Sequence, residues 1–138
     1  MLERRSKRQR QADDPIARYL GKLQAEVMAV FWERGSATVR ELLEALNKRR
    51  RRKLAYTTVL TLASRLWQRD LLTREAEGRG FRYRPATTRE GLLADLSDEL
   101  IDRLFDDFGE VALARLDARL DALDPARRGK LGKAVRKR

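Results

Sequence analysis

The sequence predicts a mainly α-helical protein with one small β-hairpin, in two parts: a head of three helices closed by the hairpin, then a helical dimerisation region. Three observations carry this. Apolar residues recur at helical spacing along most of the chain, and one pair of short alternating segments flanks the turn Glu77-Gly78-Arg79. Charge, moreover, is segregated rather than spread. The 138 residues hold 32 Lys+Arg against 21 Asp+Glu, a formal net of +11. Residues 1–84 sum to +11, residues 85–124 to −7 and residues 125–138 to +7. The chain therefore divides into a basic module, an acidic module and a basic end.

The elements follow in order. Residues 1–15 lack periodicity and end in Asp13-Asp14-Pro15, as a disordered basic arm would. Leu20, Leu23, Val27, Val30 and Phe31 then form a helical stripe that Gly35 stops. Thr38-Val39-Arg40-Glu41 matches a capping box, and Leu42, Leu43 and Leu46 give the second helix its apolar face. A third helix runs from about Tyr56 to Asp70 without internal Gly or Pro. Residues 71–76 and 80–84 read as strands, with Phe81 and Tyr83 alternating against Arg82 and Arg84. Helix, helix, helix, hairpin is the outline of a winged helix-turn-helix, spanning residues 16–85.

Residues 86–124 are helical in another manner. Leu93, Leu96, Leu100, Leu104 and Phe108, joined by Ile101 and Phe105, form one broad stripe; after Gly109, Leu113, Leu116, Leu120 and Leu123 follow 3, 4, 3 spacing. Two isolated helices cannot bury such stripes, so this region should pair with a second copy. Asp124-Pro125 suits a helix start, and residues 125–138 are expected to be a basic tail or a short helix with Leu131 and Val135 inward.

Composition limits the function. With no Cys and no His, the chain lacks a thiol nucleophile, the commonest general base and the usual zinc ligands. Asp95, Asp98, Glu99, Asp102, Asp106 and Asp107 sit at helical spacings that mark a wet helix face rather than a catalytic carboxylate pair. The expectation is a non-enzyme without metal or cofactor. No apolar run approaches the ~20 residues of a membrane span, and no apolar segment follows the basic N-terminus, so a soluble, cytoplasmic protein is expected, and a nucleoid-associated one if its partner is DNA. A sequence pI near 10.8 points to a polyanionic partner.

A helical wheel locates the surface for that partner. In the third helix Val59, Leu62, Ala63 and Leu66 converge on one side; Thr57, Thr61, Ser64 and Gln68 lie opposite, with Arg65 on the flank. The second helix of a helix-turn-helix enters the major groove, where short hydroxyl and amide side chains approach base edges. A solvated helix side is the plainer reading, but the other wet faces of this chain are rich in acid and this one is not. Lys48-Arg49-Arg50-Arg51-Arg52-Lys53 lies just before this helix, and Arg50 and Arg51 are candidate phosphate contacts. The wing places Arg79 at its tip and Arg74, Arg82 and Arg84 along its strands, suited to phosphates or an adjacent minor groove. Cationic runs of this kind are equally the mark of solvated loops.

Several of these segments, in this order, resemble the penicillinase repressor (BlaI/MecI) family of bacterial winged-helix regulators. They are Leu20-Gly21-Lys22-Leu23-Gln24-Ala25-Glu26-Val27-Met28 with Phe31-Trp32, Ala37-Thr38-Val39-Arg40-Glu41, Leu54-Ala55-Tyr56-Thr57-Thr58-Val59-Leu60-Thr61 with Arg65-Leu66, and Tyr83-Arg84-Pro85. The likeness covers about residues 20–123. It implies a homodimeric repressor of a palindromic double-stranded DNA operator, with Tyr56, Thr57, Thr58, Thr61 and Arg65 on or beside the recognition helix. It also implies a sensor protease pathway that ends in a cut at an Asn-Phe bond. The chain has no such bond, since its one Asn, Asn47, precedes Lys48. A Cys-rich copper-sensing branch of the family is excluded by composition. The alternative function is a non-specific basic nucleic-acid-binding architectural protein.

Overall fold

The computed structural model describes residues 14–123. The expectations for the basic arm up to Asp13 and for the tail from Asp124 lie outside the described residues. Two compact units divide the chain, Met1–Asp95 and Leu96–Arg138, and the division falls inside a helix.

In the first unit the helix predicted from Leu20 is α2 (Lys22–Arg34), and a short helix α1 (Pro15–Leu20) precedes it, so Asp14 and Pro15, expected to end the disordered arm, instead start a helix. Gly21 separates the two helices because it takes φ 98°, a region open to glycine and costly for other residues. The start signal is local: the Asp14 carboxylate accepts from Ile16 N–H at 3.1 Å, and Pro15 occupies the first turn, where its missing N–H costs nothing. Gly35 (φ 84°) ends α2, as the sequence indicates.

Strand β1 (Ala37–Thr38) leads into α3 (Val39–Asn47), whose predicted capping box is present. Glu41 N–H donates to the Thr38 hydroxyl and Thr38 N–H donates to the Glu41 carboxylate, both at 3.2 Å. The third predicted helix is α4 (Tyr56–Gln68). It closes in a Schellman motif: Leu71 N–H donates to Leu66 C=O at 2.9 Å and Asp70 N–H to Trp67 C=O at 3.0 Å. Asp70 therefore holds φ 62°, where glycine is the usual occupant.

Strands β2 (Leu72–Glu77) and β3 (Gly80–Pro85) pair antiparallel, with Glu77 opposite Gly80 across a two-residue turn. Gly78 takes the positive φ (59°) that such a turn needs at its first central position. Strand β1 adds to the far edge of β3, pairing Ala37 with Tyr83 and Thr38 with Arg82, so the wing is a three-stranded sheet in the order β1-β3-β2.

The core of this unit gathers one face from each element: Ile16 and Leu20, then Val27, Met28 and Phe31, then Leu42 and Leu46. Val59, Leu62, Ala63 and Leu66 of α4 close on them, with Leu72 and Tyr83 from the sheet. The wheel's inner face of α4 is thus the buried one. Leu92, also buried, lies near the start of α5 (Arg89–Phe108). The indole of Trp32 donates to Thr87 C=O at 2.9 Å just before that helix.

The second unit holds the rest of α5, the break at Gly109 (φ 53°) and α6 (Glu110–Asp121). No helix among the described residues is long and apolar enough to cross a membrane.

Candidate nucleic-acid interface

The outer side of α4 presents Thr57, Thr58, Thr61, Arg65 and Gln68 exposed and Ser64 half-buried, with Tyr56 exposed at the N-terminal end. All seven predicted residues of this helix lie on or beside one accessible face. The Thr61 hydroxyl donates to Thr57 C=O at 2.9 Å, so outward it offers a methyl and acceptor lone pairs. No carboxylate lies on this face from Tyr56 to Gln68.

The cationic loop between α3 and α4 is held by Asn47. Its side-chain amide donates to Leu54 C=O at 3.1 Å and its Oδ1 accepts from Leu54 N–H at 2.8 Å; Lys53 Nζ donates to the Asn47 carbonyl at 2.5 Å. The ends of a loop carrying six cations are thereby tied together at the entrance to α4. Within it, Arg51 is exposed, whereas Arg50 is half-buried and forms an ion pair with Glu26 of α2.

The predicted wing arginines Arg79, Arg82 and Arg84 divide in the same way. Arg79, at the exposed tip, has no ion pair among the described residues. Arg84 pairs with Glu75 at 3.0 Å. Arg82 is half-buried and bonded on several sides: to Glu77 at 2.9 and 3.0 Å, to Glu41 at 3.0 Å and to the Ser36 hydroxyl at 3.1 Å. The Glu41 carboxyl is held below the usual range, first by the Thr38 backbone N–H and also by the Arg82 charge. The Arg82 hydrogen bond does the same for Glu77, and Glu77 in turn strengthens the hold of Arg82 on its proton.

The stacking of Arg74, which the sequence places on a wing strand, and the position of Arg40 are not read from the sequence. Arg74 lies between two rings, its guanidinium carbon 3.4 Å from the Trp67 ring centre on α4 and 4.0 Å from that of Phe81 on β3. Arg40, exposed at the start of α3, lines a cleft of about 270 Å³ together with Tyr56, Leu60 and Phe81. The rings about Arg74 lie seven positions to either side of it, whereas Arg40 shares its cleft with residues sixteen or more positions away.

The predicted dimerisation residues lie along α5 and α6. Leu100, Leu104, Phe108, Leu113 and Leu116 are exposed in the single chain, Phe108 to 61%; Leu93, Leu96, Leu120 and Leu123 are half-buried. Ile101 and Val111 add to the exposed apolar set.

A three-helix head whose last helix offers an acid-free polar face, followed by a hairpin sheet with a cationic tip, defines a winged helix-turn-helix protein. The penicillinase repressor family profile matches residues 20–137, and the chain belongs to that family, one of transcriptional repressors and not of enzymes. It is 42% identical over 78 residues to the transcriptional regulator BlaI of Mycobacterium tuberculosis, in each of two strains, a match covering 56% of this chain and 55% of the relative. The chain spans about half the length of the curated relatives it matches. A looser likeness, TM-score 0.44 at 20% identity, covers 94% of this chain and 79% of Bordetella bronchiseptica BpsR, in a structure described as a mechanism for regulation of its DNA binding by 6-hydroxynicotinic acid.

Proposed function

We propose that the protein is a homodimeric transcriptional repressor that reads a palindromic double-stranded DNA operator with α4 in the major groove and the wing tip on flanking backbone. The observation that carries this is the face of α4. Thr57, Thr61, Gln68 and Arg65 stand exposed together without a carboxylate, preceded along the chain by the tethered cationic loop and followed by Arg79, which has no ion pair among the described residues. Arg65 has the reach and fork to address a guanine or a phosphate, and the Thr61 methyl and lone pairs suit a thymine methyl or a base amino group.

Dimerisation is supported by the exposed apolar set on α5 and α6, which a second copy would cover. A two-fold dimer binds two half-sites about one helical turn apart, hence the palindrome. Such a protein would act in the cytoplasm at the nucleoid.

The test selects bound duplexes from a random pool, then measures affinity for the winner and for a scrambled duplex across a salt series. A two-fold-symmetric winner is expected, with log affinity falling by about 0.9 per phosphate contact for each unit of log salt. Replacing Arg65 by Ala should weaken binding to the winner more than to the scrambled duplex. Equal affinity for both duplexes in the wild type would assign the basic charge to non-specific binding instead.

A further inference from the structure

The wing carries four arginines, Arg74, Arg79, Arg82 and Arg84, and they differ in their partners. A guanidinium has five N–H groups. In Arg82, Nε and Nη2 engage both oxygens of Glu77, Nη2 also reaches Glu41, and Nη1 reaches Ser36, so four of the five are committed inside the protein. Glu41 is meanwhile the capping-box residue of α3 and accepts from Arg34 of α2 at 3.1 Å. Arg82 also stands opposite Thr38, the N-cap of α3, in the β1–β3 register. One side chain therefore joins the hairpin, the start of α3 and the end of α2.

Charge leads to the same conclusion. Arg34 and Arg82 are balanced by Glu41 and Glu77, and Arg84 by Glu75, while Arg74 of β2, with no ion pair among the described residues, is stacked between the rings of Trp67 and Phe81. Of the hairpin cations, Arg79 at the exposed tip has neither an ion pair nor a ring contact among the described residues.

We infer that Arg82 is a positioning residue: it braces the wing against α3 so that Arg79 is delivered to the nucleic acid, and it does not itself contact the partner. This rests on the DNA-binding reading for its partner, though not for the brace itself. Arg82 sits on the cationic wing that the sequence assigns wholly to contacts, and its carboxylates reassign it.

The sharpest test is a change of sign at Glu77. Were Arg82 a phosphate contact, Glu77→Gln would remove a repelling charge, free the guanidinium and tighten operator binding. A brace requires the reverse: Glu77→Gln weakens binding although the protein becomes more positive. Arg82→Gln should weaken operator binding by about two- to tenfold while leaving the salt slope of the wild type, whereas Arg79→Gln should lower that slope by about 0.9. In an Arg79→Gln background the Arg82→Gln effect should largely vanish, because the brace acts through Arg79.

Hydrogen exchange of the free protein completes the test. Arg82→Gln should speed exchange at the β1–β3 pairing while the amides of α2 and α4 keep their protection. Unchanged exchange overturns the brace, and so does tighter binding by the Glu77→Gln protein. An effect of Arg82→Gln that adds in full to that of Arg79→Gln overturns the positioning role. A wild type with no preference among duplexes would instead sink the proposed function, leaving the brace to stand or fall on exchange.

Discussion

Replacing Asn47 by Ala tests whether the cationic loop is a tethered part of the fold. The side chain makes two hydrogen bonds to the backbone of Leu54, at 2.8 and 3.1 Å, and Leu54 is half-buried, so water replaces them only in part. At about 1 kcal/mol net for each bond the loss is about 2 kcal/mol, and the better helix propensity of Ala returns at most about 0.7 kcal/mol. The expected destabilisation is about 1.5 kcal/mol, close to a tenfold fall in the folding equilibrium constant. Urea unfolding should show a lower midpoint with an unchanged slope. Asn47→Asp keeps the acceptor for Leu54 N–H but loses the donor to Leu54 C=O, and should fall between wild type and Asn47→Ala. A loss below about 0.5 kcal/mol, or an Asp variant as unstable as the Ala variant, would refute the tether.

Three further outcomes are expected. A charge on the exposed apolar face proposed for dimerisation, Leu116→Glu, should give monomers in sedimentation and abolish operator binding at ordinary concentrations, while the urea midpoint of the head changes little; a dimeric variant would count against the interface. Asp70→Gly should stabilise the protein by about 0.5–1 kcal/mol in the same urea assay, because Asp70 holds a left-handed φ of 62° that glycine adopts without a steric penalty; no gain would show that Asp tolerates the position fully. The acid response follows from Glu41 and Glu77, both held below their ordinary carboxyl values. A depressed folded-state value stabilises the protein fully above the ordinary carboxylate range and is lost as pH falls through the depressed value. Stability should therefore drop in acid, and a Glu41→Gln/Glu77→Gln protein should show a flatter decline; identical profiles would exclude these groups.

Local signals were legible in the sequence. The capping box at Thr38 and Glu41, the turn at Gly78 and the buried face of α4 each depend on residues within one element, and each is present. The helix start at Asp14-Pro15 carries the same signal that suggests a start at Asp124-Pro125, yet the acidic residues beside a basic run favour an arm over a helix. Gly21 falls between Leu20 and Leu23 of the apolar stripe, and only the backbone shows that it separates α1 from α2. Strand β1 is two residues long and leaves no period to detect. The candidate interface was legible as a face, but not in the standing of its cations. Arg82 finds Glu41 forty-one positions away and Arg50 finds Glu26 twenty-four away, and no spacing rule reports such partners. Arg51, Arg65 and Arg79 keep the exposure that the sequence expects of them.

The stacking of Arg74 between Trp67 and Phe81 gives the molecule its own optical reporter. The chain has two Trp residues; Trp32 hydrogen-bonds the carbonyl that precedes α5, and Trp67 lies under a cation supplied by the wing. A guanidinium 3.4 Å from an indole alters its emission, so the light from Trp67 depends on whether the hairpin is seated against α4. Removing Trp32 would leave a signal that follows the seating of the wing in real time, with no label attached.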